Sequence, residues 1–241
     1  RLIISTVSLV VCTGVAFAFH PLIFQVLMVP AQGFEALQTN KLIFTQITEM
    51  IGITMKVSLM GGFILAFPIV LFHMSMFISP GLTSKEKRLF LMLAPLSLIC
   101  FILGTSFGYF LLLPPGLHFL FNFGSDIASP MIRIGNYINV VVTLLFWLGI
   151  SFETPLVMYF LTKIGITRST TLRKGRRYSI VVAFILGALI TPTFDPVNQT
   201  LVAVPIVMLY QIGVWLSAIA DRGKERSELS LSSGTDRGSS R

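Results

Sequence analysis

The chain has 241 residues, of which 54% are hydrophobic and 12% charged, with a formal net charge of +8 and a mean hydropathy of +0.84. A soluble domain cannot hide this much apolar surface, so the composition excludes an ordinary soluble globular protein. The apolar residues form long continuous runs rather than alternating ten-residue segments, which excludes a transmembrane β-barrel.

Six apolar runs follow one another along the chain. A bilayer core about 30 Å thick takes about 20 helical residues. The predicted spans are Leu2–Phe19, Val57–Ser79, Leu89–Leu113, Ile138–Leu161, Tyr178–Ile190 and Gln199–Ala218. The third is expected to end at Pro114-Pro115, because proline disfavours helix in the residue before it. The sequence therefore predicts an all-α polytopic membrane domain with six transmembrane helices over residues 1–220, followed by a disordered tail over residues 221–241.

Basic residues concentrate in alternate connections between these runs. The loops Pro80–Arg88 and Lys163–Arg177, together with the tail, carry most of them. Three of the 18 basic residues fall on the opposite side: Lys41, Lys56 and Arg133. By the positive-inside rule, both termini and both basic loops are predicted on the cytoplasmic side. This parity agrees with six spans, and it makes nucleic-acid binding unnecessary as an explanation of the charge.

Two parts of the chain are predicted to lie in the bilayer in an unusual way, one along its surface and one as short spans. On the outer side, Leu42–Met55 has an apolar face and is expected to form a helix along the membrane interface. The last two spans, helices 5 and 6, are predicted to be short, since Tyr178–Ile190 extends only about 20 Å. A short hairpin thins the bilayer or is sheltered by neighbours. The alternative is that helix 5 continues past this boundary, with Arg176 and Arg177 at headgroup depth.

One carboxylate, Glu153, lies inside the otherwise apolar run from Ile138 to Leu161. A charge at the middle of a spanning helix costs about 2.5–3.5 kcal/mol on insertion scales, so it is retained where it faces a partner or a wet cavity. Pro155, two residues later, frees a backbone carbonyl nearby. Glu153 is interpreted as a docking point for another transmembrane helix or for cargo. The alternative is internal glue, a protonated side chain bonded to a neighbouring helix.

Three other charged residues lie at predicted helix starts. Thr83 and Glu86 have the spacing of a capping box, although a surface carboxylate at Glu86 can also receive a guanidinium group in bidentate fashion. Asp195 precedes Pro196 and is predicted to be the N-cap of the sixth helix. Lys56 opens the second span, where snorkelling to the outer surface explains it.

The segment Gly104-Thr105-Ser106-Phe107-Gly108 matches the G-x-S-x-G nucleophile pattern, but no strand precedes it. The same two glycines have the spacing that lets transmembrane helices pack closely. The sequence contains no H-E-x-x-H motif, Walker loop or cysteine cluster. We therefore predict no catalytic residues, no metal and no cofactor, and we do not expect an enzyme.

A set of short motifs occurs in a fixed order along nearly the whole chain. They are Thr48-Glu49, Lys56-Val57-Ser58, Phe67-Pro68, Phe77, Pro80-Gly81-Leu82, Glu86-Lys87-Arg88, Pro114, Tyr137, Phe152-Glu153-Thr154-Pro155, Leu172-Arg173-Lys174, Arg176-Arg177-Tyr178, Thr191-Pro192, Asp195 and Gln199. Each is weak alone, but the ordered set is highly specific. On these residues the chain resembles the TatC family, the multispanning subunit of the twin-arginine protein translocase.

The resemblance implies a concave, cup-like bundle that recognises twin-arginine signal peptides on folded cargo, with export driven by the proton-motive force. Glu86 matches the family's signal-binding glutamate, and Glu153 matches its intramembrane glutamate. The residues implied for signal-peptide binding are Glu86, Phe77, Lys87 and Arg88, and those implied for the intramembrane partner or cargo site are Glu153, Gln199 and Asp195.

The resemblance also implies partners: single-span TatA/TatB-type subunits, the signal peptides and the bilayer, in a hetero-oligomer with several copies. The implied location is a bacterial cytoplasmic membrane rather than a thylakoid. The family carries a further glutamate in an H-L-x-E-L-R-x-R segment before the first span, and Arg1 resembles its last arginine. His73, where the family often has Gln, and the longer spacing from Thr191 to Asp195 depart from the family pattern. The alternative function is a proton-coupled transporter of a small solute, which also uses an intramembrane carboxylate.

Overall fold

The computed structural model describes residues 2–31, 42–78, 84–123, 132–191 and 195–238, without the side chains of residues 74–78, 84–87, 89–90 and 223–238. The helices are α1 (Leu2–Ala18), α2 (His20–Met28), α3 (Glu49–Ile78), α4 (Ser84–Phe107), α5 (Leu113–Asn122), α6 (Ile134–Lys163), α7 (Ser169–Lys174), α8 (Arg176–Ile190) and α9 (Pro196–Gly238). A 3₁₀ turn, Val29–Ala31, follows α2, and a π-helical segment, Gly108–Leu112, joins α4 to α5. The predicted all-α class is confirmed over these residues.

Several helices are long and apolar enough to cross a bilayer. Among the described residues, four stretches meet this requirement: Glu49–His73, Leu91–Asn122, Ile134–Lys163 and Pro196–Arg222. The pair α1 and α2 is a fifth candidate, although it bends by 73° at Phe19. Helix α8 has 15 residues, about 22 Å of rise, and is shorter than a bilayer core. The chain is a multi-pass membrane protein, and the count of six spans stays a prediction.

Contacts between helices show their relative directions. Ser97 of α4 contacts Glu153 of α6, whereas Gly104, further along α4, meets Leu148, which is earlier in α6. These two helices are therefore antiparallel. In α9, Asn198 shares a small cavity with Leu144 of α6, whereas Gly213 packs on Pro155 and Met158. Helices α6 and α9 are therefore parallel, which agrees with one return crossing between them.

The antiparallel contact between α4 and α6 depends on glycines. A Cβ at Gly104 would lie 2.7 Å from the Phe152 ring and 2.8 Å from the Leu148 carbonyl oxygen, and a Cβ at Gly149 would lie 2.7 Å from the Phe101 ring. Gly108 likewise meets Leu148. The predicted packing face of Gly104 and Gly108 is confirmed. These approaches let short side chains of one helix reach the other.

The main hydrophobic core draws residues from α2, α3, α5, α6, α8 and α9. Its most buried members include Val57, Leu113, Ile138, Val141, Leu148 and Val202. Most other apolar side chains face outward, for example Ile185 of α8 at 61% exposed. A small core with apolar outer faces is the arrangement expected when lipid rather than water surrounds the helices.

The prediction that Pro114-Pro115 ends the third span is wrong. The chain passes through the π-helical segment and continues as α5 to Asn122, with the two prolines in the first turn of α5. Proline is tolerated there because the first turn does not need its missing N–H. The wide π turn absorbs the irregularity.

The predicted interfacial helix over Leu42–Met55 is wrong for its first half, because the residues before Glu49 are not helical. Ile43 pairs with the strand-like residues before α6: its N–H donates to the Ile132 oxygen at 3.2 Å, and Ile134 N–H donates back at 2.9 Å. Helix α3 begins only at Glu49. Backbone pairing with a distant segment therefore replaces the first turns of the expected helix.

Predictions for the last two helices have mixed outcomes. The short fifth helix is confirmed by the 15 residues of α8. The short sixth helix is wrong, because the apolar part of α9 covers 27 residues from Pro196 to Arg222. Beyond Arg222 the backbone continues as helix to Gly238, whereas a disordered tail is expected from the sequence. The domain boundary at residue 221 stays a prediction.

Candidate functional site

Glu153 lies in the second half of α6, on the face that packs against α4. Its Oε2 atom accepts a hydrogen bond from Ser97 Oγ of α4. Ser97 is buried, and Glu153 is half-buried. The contact exists because Gly104 and Gly149 bring the two helices close enough for a serine to reach across. One of the two Glu153 oxygens therefore bonds a neighbouring helix of the same chain, as the alternative of an internal contact expects.

The other carboxylate oxygen has a different status. Glu153 Oε1 is buried and has no hydrogen-bond partner among the described residues. A buried polar atom left without a partner costs about 1–3 kcal/mol. A carboxyl group therefore keeps acceptor capacity at membrane depth, in a position where a donor on another helix would relieve that cost. A docking role for Glu153 stays a prediction that this geometry favours.

Two apolar cavities lie on the side of α6 that faces α3. One, of about 310 Å³, lies between α2, α3, α4 and α6 and is bordered by Ser106 and Tyr109. The other, of about 290 Å³, lies between α1, α3 and α6 and is bordered by Lys56 and Trp147. Neither includes Glu153 in its lining. The hollows agree with a concave face, and the cup-like shape as a whole stays a prediction.

Lys56 makes a contact between helices rather than only snorkelling. Its Nζ donates to Asn139 Oδ1 and, at 3.4 Å, to Thr143 Oγ1, both on α6. Asn139 and Thr143 are four residues apart and so lie on one helix face. That spacing is visible in the sequence, but nothing local to Lys56 indicates that α6 is its neighbour.

A polar cluster that the sequence analysis did not identify joins the starts of α3 and α6. Glu49 Oε2 accepts hydrogen bonds from Thr45 N at 2.9 Å and from Arg133 Nη2 at 3.2 Å, and Oε1 accepts from Gly135 N at 3.1 Å. The Glu49 side chain is 8% exposed. Thr48-Glu49 appears among the family motifs without a role, and Arg133 is one of three basic residues on that side. In the sequence, the indication of this cluster is the position of Arg133, a basic residue on the side predicted to carry few of them.

The same end of the molecule is tied to α2 by two tyrosines. Tyr137 O–H donates to the Leu27 carbonyl at 2.7 Å, and Tyr109 O–H donates to the Val26 carbonyl at 2.6 Å. Tyr137 is buried. The end of α2 is thus fixed over the first cavity.

Asp195 and Gln199 organise the start of α9. Asp195 Oδ1 accepts from Asn198 N at 2.6 Å, so the predicted N-cap is confirmed. Gln199 Nε2 donates to the Phe184 carbonyl of α8 at 2.9 Å, and Gly187 lets the two helices approach there. Both residues therefore have structural roles in joining α8 to α9.

The structure does not bring Glu153 together with Asp195 and Gln199. Gly213 packs on Pro155, so the level of Glu153 corresponds to a position near residue 211 of α9. Gln199 precedes that level by about 18 Å of helix rise. The intramembrane residues implied by the resemblance therefore form two separate polar positions along two parallel helices.

The predicted signal-binding residues lie in the last turn of α3 and near the start of α4. The backbone of Phe77 belongs to the last turn of α3, that of Glu86 and Lys87 belongs to the first turn of α4, and Arg88 is exposed. The side chains of Phe77, Glu86 and Lys87, and all of Thr83, lie outside the described residues. The capping box and the arginine-binding role both stay predictions.

The G-x-S-x-G segment does not have the geometry of a nucleophile elbow. Ser106 lies within α4, one residue before its end, and so lacks the strand-to-helix turn of a nucleophile elbow. Within the described residues, no group of three or more His, Cys, Asp or Glu side chains could hold a metal ion.

Comparisons with known proteins agree over nearly the whole chain. The family model described as Sec-independent protein translocase protein (TatC) matches residues 1–205. The chain is 39% identical over 227 residues to the Sec-independent protein translocase protein TatC of Aquifex aeolicus, covering 93% of each chain. It is 34% identical over 216 residues to the TatC protein of Carboxydothermus hydrogenoformans, covering 90% of this chain and 87% of that one.

Solved structures give the same result. The crystal structure of the twin-arginine translocase receptor TatC matches with a TM-score of 0.82 at 39% identity, covering 91% of this chain and 96% of that one. Sequence, fold and the order of the motifs thus point to the same proteins. The chain belongs to the TatC family and is a multi-pass membrane subunit of the Sec-independent protein translocase.

Proposed function

We propose that this chain is the signal-peptide receptor and scaffold subunit of a translocase that exports folded proteins carrying twin-arginine signals. The observation that carries the proposal is Glu153, a carboxylate inside a membrane-spanning helix. Ser97 holds one of its oxygens, and the other has no partner among the described residues. Membership of the TatC family replaces the alternative of a proton-coupled solute transporter.

In this proposal, signal recognition belongs to the residues at the end of α3 and the start of α4. Glu86 binds the arginine pair, because a carboxylate accepts a guanidinium group in bidentate fashion. Phe77, Lys87 and Arg88 complete the surface around it. Since Lys87 and Arg88 are themselves cationic, a second carboxylate is needed beside Glu86. In the TatC family, a glutamate in the segment before the first span matches this requirement.

Docking of partner helices is assigned to Glu153. Its unpartnered oxygen accepts a hydrogen bond from a polar side chain on the span of a TatA/TatB-type subunit. Gln199 and Asp195 form a second polar position about 18 Å away along α9, within the length of one spanning helix. One partner span lying beside α6 and α9 could therefore meet both positions.

The assembly follows from this division of roles. The complex is a hetero-oligomer with several copies in a bacterial cytoplasmic membrane, with both termini of this chain in the cytoplasm. The signal peptide is bound first at the end of α3 and the start of α4, and its apolar part then enters the hollow between the helices. The proton-motive force drives the export step.

A charge swap at Glu86 tests the receptor role. In membranes that contain the whole translocase, Glu86→Arg should abolish photo-cross-linking to a twin-arginine signal peptide. A peptide with two glutamates in place of the arginines should regain cross-linking to this variant, because the attraction is restored in reverse. Glu49→Gln, on the opposite side of the predicted membrane, is the matched control and should cross-link normally. Unchanged cross-linking of Glu86→Arg rejects the assignment.

A further inference from the structure

We propose that a cavity between the end of α6, α7 and the part of α9 from Ala218 to Arg222 binds the phosphodiester headgroup of an anionic lipid. The cavity has a volume of about 610 Å³, and its lining includes three arginines, Arg168, Arg173 and Arg222. The hydroxyl-bearing residues Thr167 and Thr170 also line it. This site is independent of the roles proposed for Glu86 and Glu153.

The charge of the cavity lining favours an anion. Among the described side chains, the lining contains a single acidic residue, Asp221, and its Oδ2 already accepts a hydrogen bond from Ser169 N at 2.7 Å. The three arginines are exposed, and within the described residues none of them forms an ion pair. Three guanidinium groups therefore share the lining with one carboxylate, and one oxygen of that carboxylate is already bonded to Ser169 N.

The walls of the cavity are fixed by contacts between α7 and α9. Besides the bond between Ser169 and Asp221, Tyr210 O–H of α9 donates to the Leu172 carbonyl of α7 at 2.9 Å. Gly175, directly after α7, lies against the same tyrosine hydroxyl. Arg173 of α7, and Arg168 directly before it, are thus held by a helix that is anchored to α9. Guanidinium groups suit phosphate because their N–H pairs match two phosphate oxygens, and hydroxyls add further donors.

An apolar stripe on α9 leads directly to the cavity. It consists of Ile212, Trp215 and Ile219, which are spaced three and four residues apart and are followed three residues later by Arg222. Trp215 is 61% exposed and Ile219 is 62% exposed. Tryptophan is enriched at membrane interfaces. An acyl chain lying along this stripe would place its headgroup at Arg222.

The continuity of stripe and cavity identifies the ligand as a lipid rather than a soluble anion. A soluble phosphate would contact the arginines alone, whereas a lipid would contact the arginines through its headgroup and the stripe through an acyl chain. Basic pockets between transmembrane helices on the positively charged side are known binding sites for anionic headgroups. Phosphatidylglycerol, with one phosphodiester and two acyl chains, has the required chemistry.

Native mass spectrometry of the full chain, purified in detergent and mixed with equal phosphatidylglycerol and phosphatidylcholine, tests the proposal. The wild type should retain phosphatidylglycerol about tenfold over phosphatidylcholine. The triple variant Arg168→Gln/Arg173→Gln/Arg222→Gln should lose this preference. The matched variant Lys174→Gln/Arg176→Gln/Arg177→Gln removes the same charge from exposed neighbours outside the cavity and should keep it. If the first triple variant is not monodisperse, Arg222→Gln alone should lower the preference about fivefold.

Three results would overturn the proposal. The first is equal retention of the two lipids by the wild type, and the second is equal loss of preference in both triple variants. The third concerns the source of the phosphate: inorganic phosphate at millimolar concentration should leave the bound lipid in place. If it displaces the lipid and its binding depends on the three arginines, the cavity is a site for soluble oxyanions.

Discussion

Glu49 and Glu153 are both carboxylates on long apolar helices, but their surroundings differ. Glu49 accepts hydrogen bonds from Thr45, Arg133 and Gly135, so both of its oxygens are used. Glu153 accepts one hydrogen bond, from Ser97, and its second oxygen is buried without a partner among the described residues. The first group joins two helix starts. The second keeps acceptor capacity at membrane depth.

The two carboxylates are therefore expected to have different roles: Glu49 is structural, and Glu153 is the candidate for docking. Where every acceptor position is filled from within the chain, removal of the carboxylate should act on stability. Where one position is unfilled, removal should act mainly on assembly with another helix, because only one internal hydrogen bond is lost and the unpartnered oxygen is removed with it. The two glutamates therefore predict opposite combinations of stability and function.

The largest expected effect on function is that of Glu153→Ala. This change removes both acceptor oxygens, so export of a folded twin-arginine reporter should fall at least about tenfold while signal-peptide cross-linking persists. Glu153→Gln keeps one acceptor oxygen and should lose less export. Ser97→Ala is the matched control, because it removes only the internal hydrogen bond. If Ser97→Ala reproduces the loss of export, Glu153 acts through its internal hydrogen bond. The contrast between a structural Glu49 and a docking Glu153 is then wrong. Wild-type export from both Glu153→Gln and Glu153→Ala would reject the docking role.

The largest expected effect on stability is that of Gly104→Ala at the contact between α4 and α6. The added Cβ would meet the Phe152 ring and the Leu148 carbonyl at under 3 Å, and overpacking of this kind costs about 1–3 kcal/mol. Gly14→Ala is the control, because nothing lies within 4 Å of a Cβ built there. Thermal unfolding in detergent should show a lower midpoint for the first variant alone. Equal midpoints would mean that the glycines do not set the approach that brings Ser97 to Glu153.

Glu49→Gln should lower the unfolding midpoint and leave export per folded molecule close to that of the wild type. The amide loses its charge toward Arg133, while it can still accept from one backbone N–H. Arg133→Gln is a milder partner variant, since Glu49 keeps its bonds to Thr45 and Gly135. Normal stability with lost export in Glu49→Gln would reverse the roles assigned to the two glutamates.

The smallest effect is expected for Tyr137→Phe, which removes one hydrogen bond to the Leu27 carbonyl. A net loss of about 1 kcal/mol in the free energy of unfolding is typical for such a bond when the acceptor is buried. Tyr109→Phe removes the analogous bond at a more exposed position and should cost less. A larger loss from Tyr109→Phe would show that burial does not decide how much each of these two hydrogen bonds contributes to the free energy of unfolding.

The sequence predicts those features whose causes are local. A charge inside an apolar run reveals Glu153, an Asp-Pro pair reveals the cap of α9, and two glycines four apart reveal the packing face of α4. The bonds between Lys56 and Asn139 and between Glu49 and Arg133 were missed, because each joins residues more than 80 positions apart. Hydropathy and spacing describe single helices, whereas these bonds depend on which helices become neighbours.

The π-helical segment Gly108–Leu112 determines how α5 is rotated about its own axis and therefore which of its side chains point into the core. Each residue in a helix turns the chain by about 100°, so deleting one residue from the wide turn would restore regular α-helix and rotate α5 by that angle. Leu117 and Phe121, which now point into the core, would then swing towards the periphery. One extra residue in a single turn thus decides which side of α5 packs against the core.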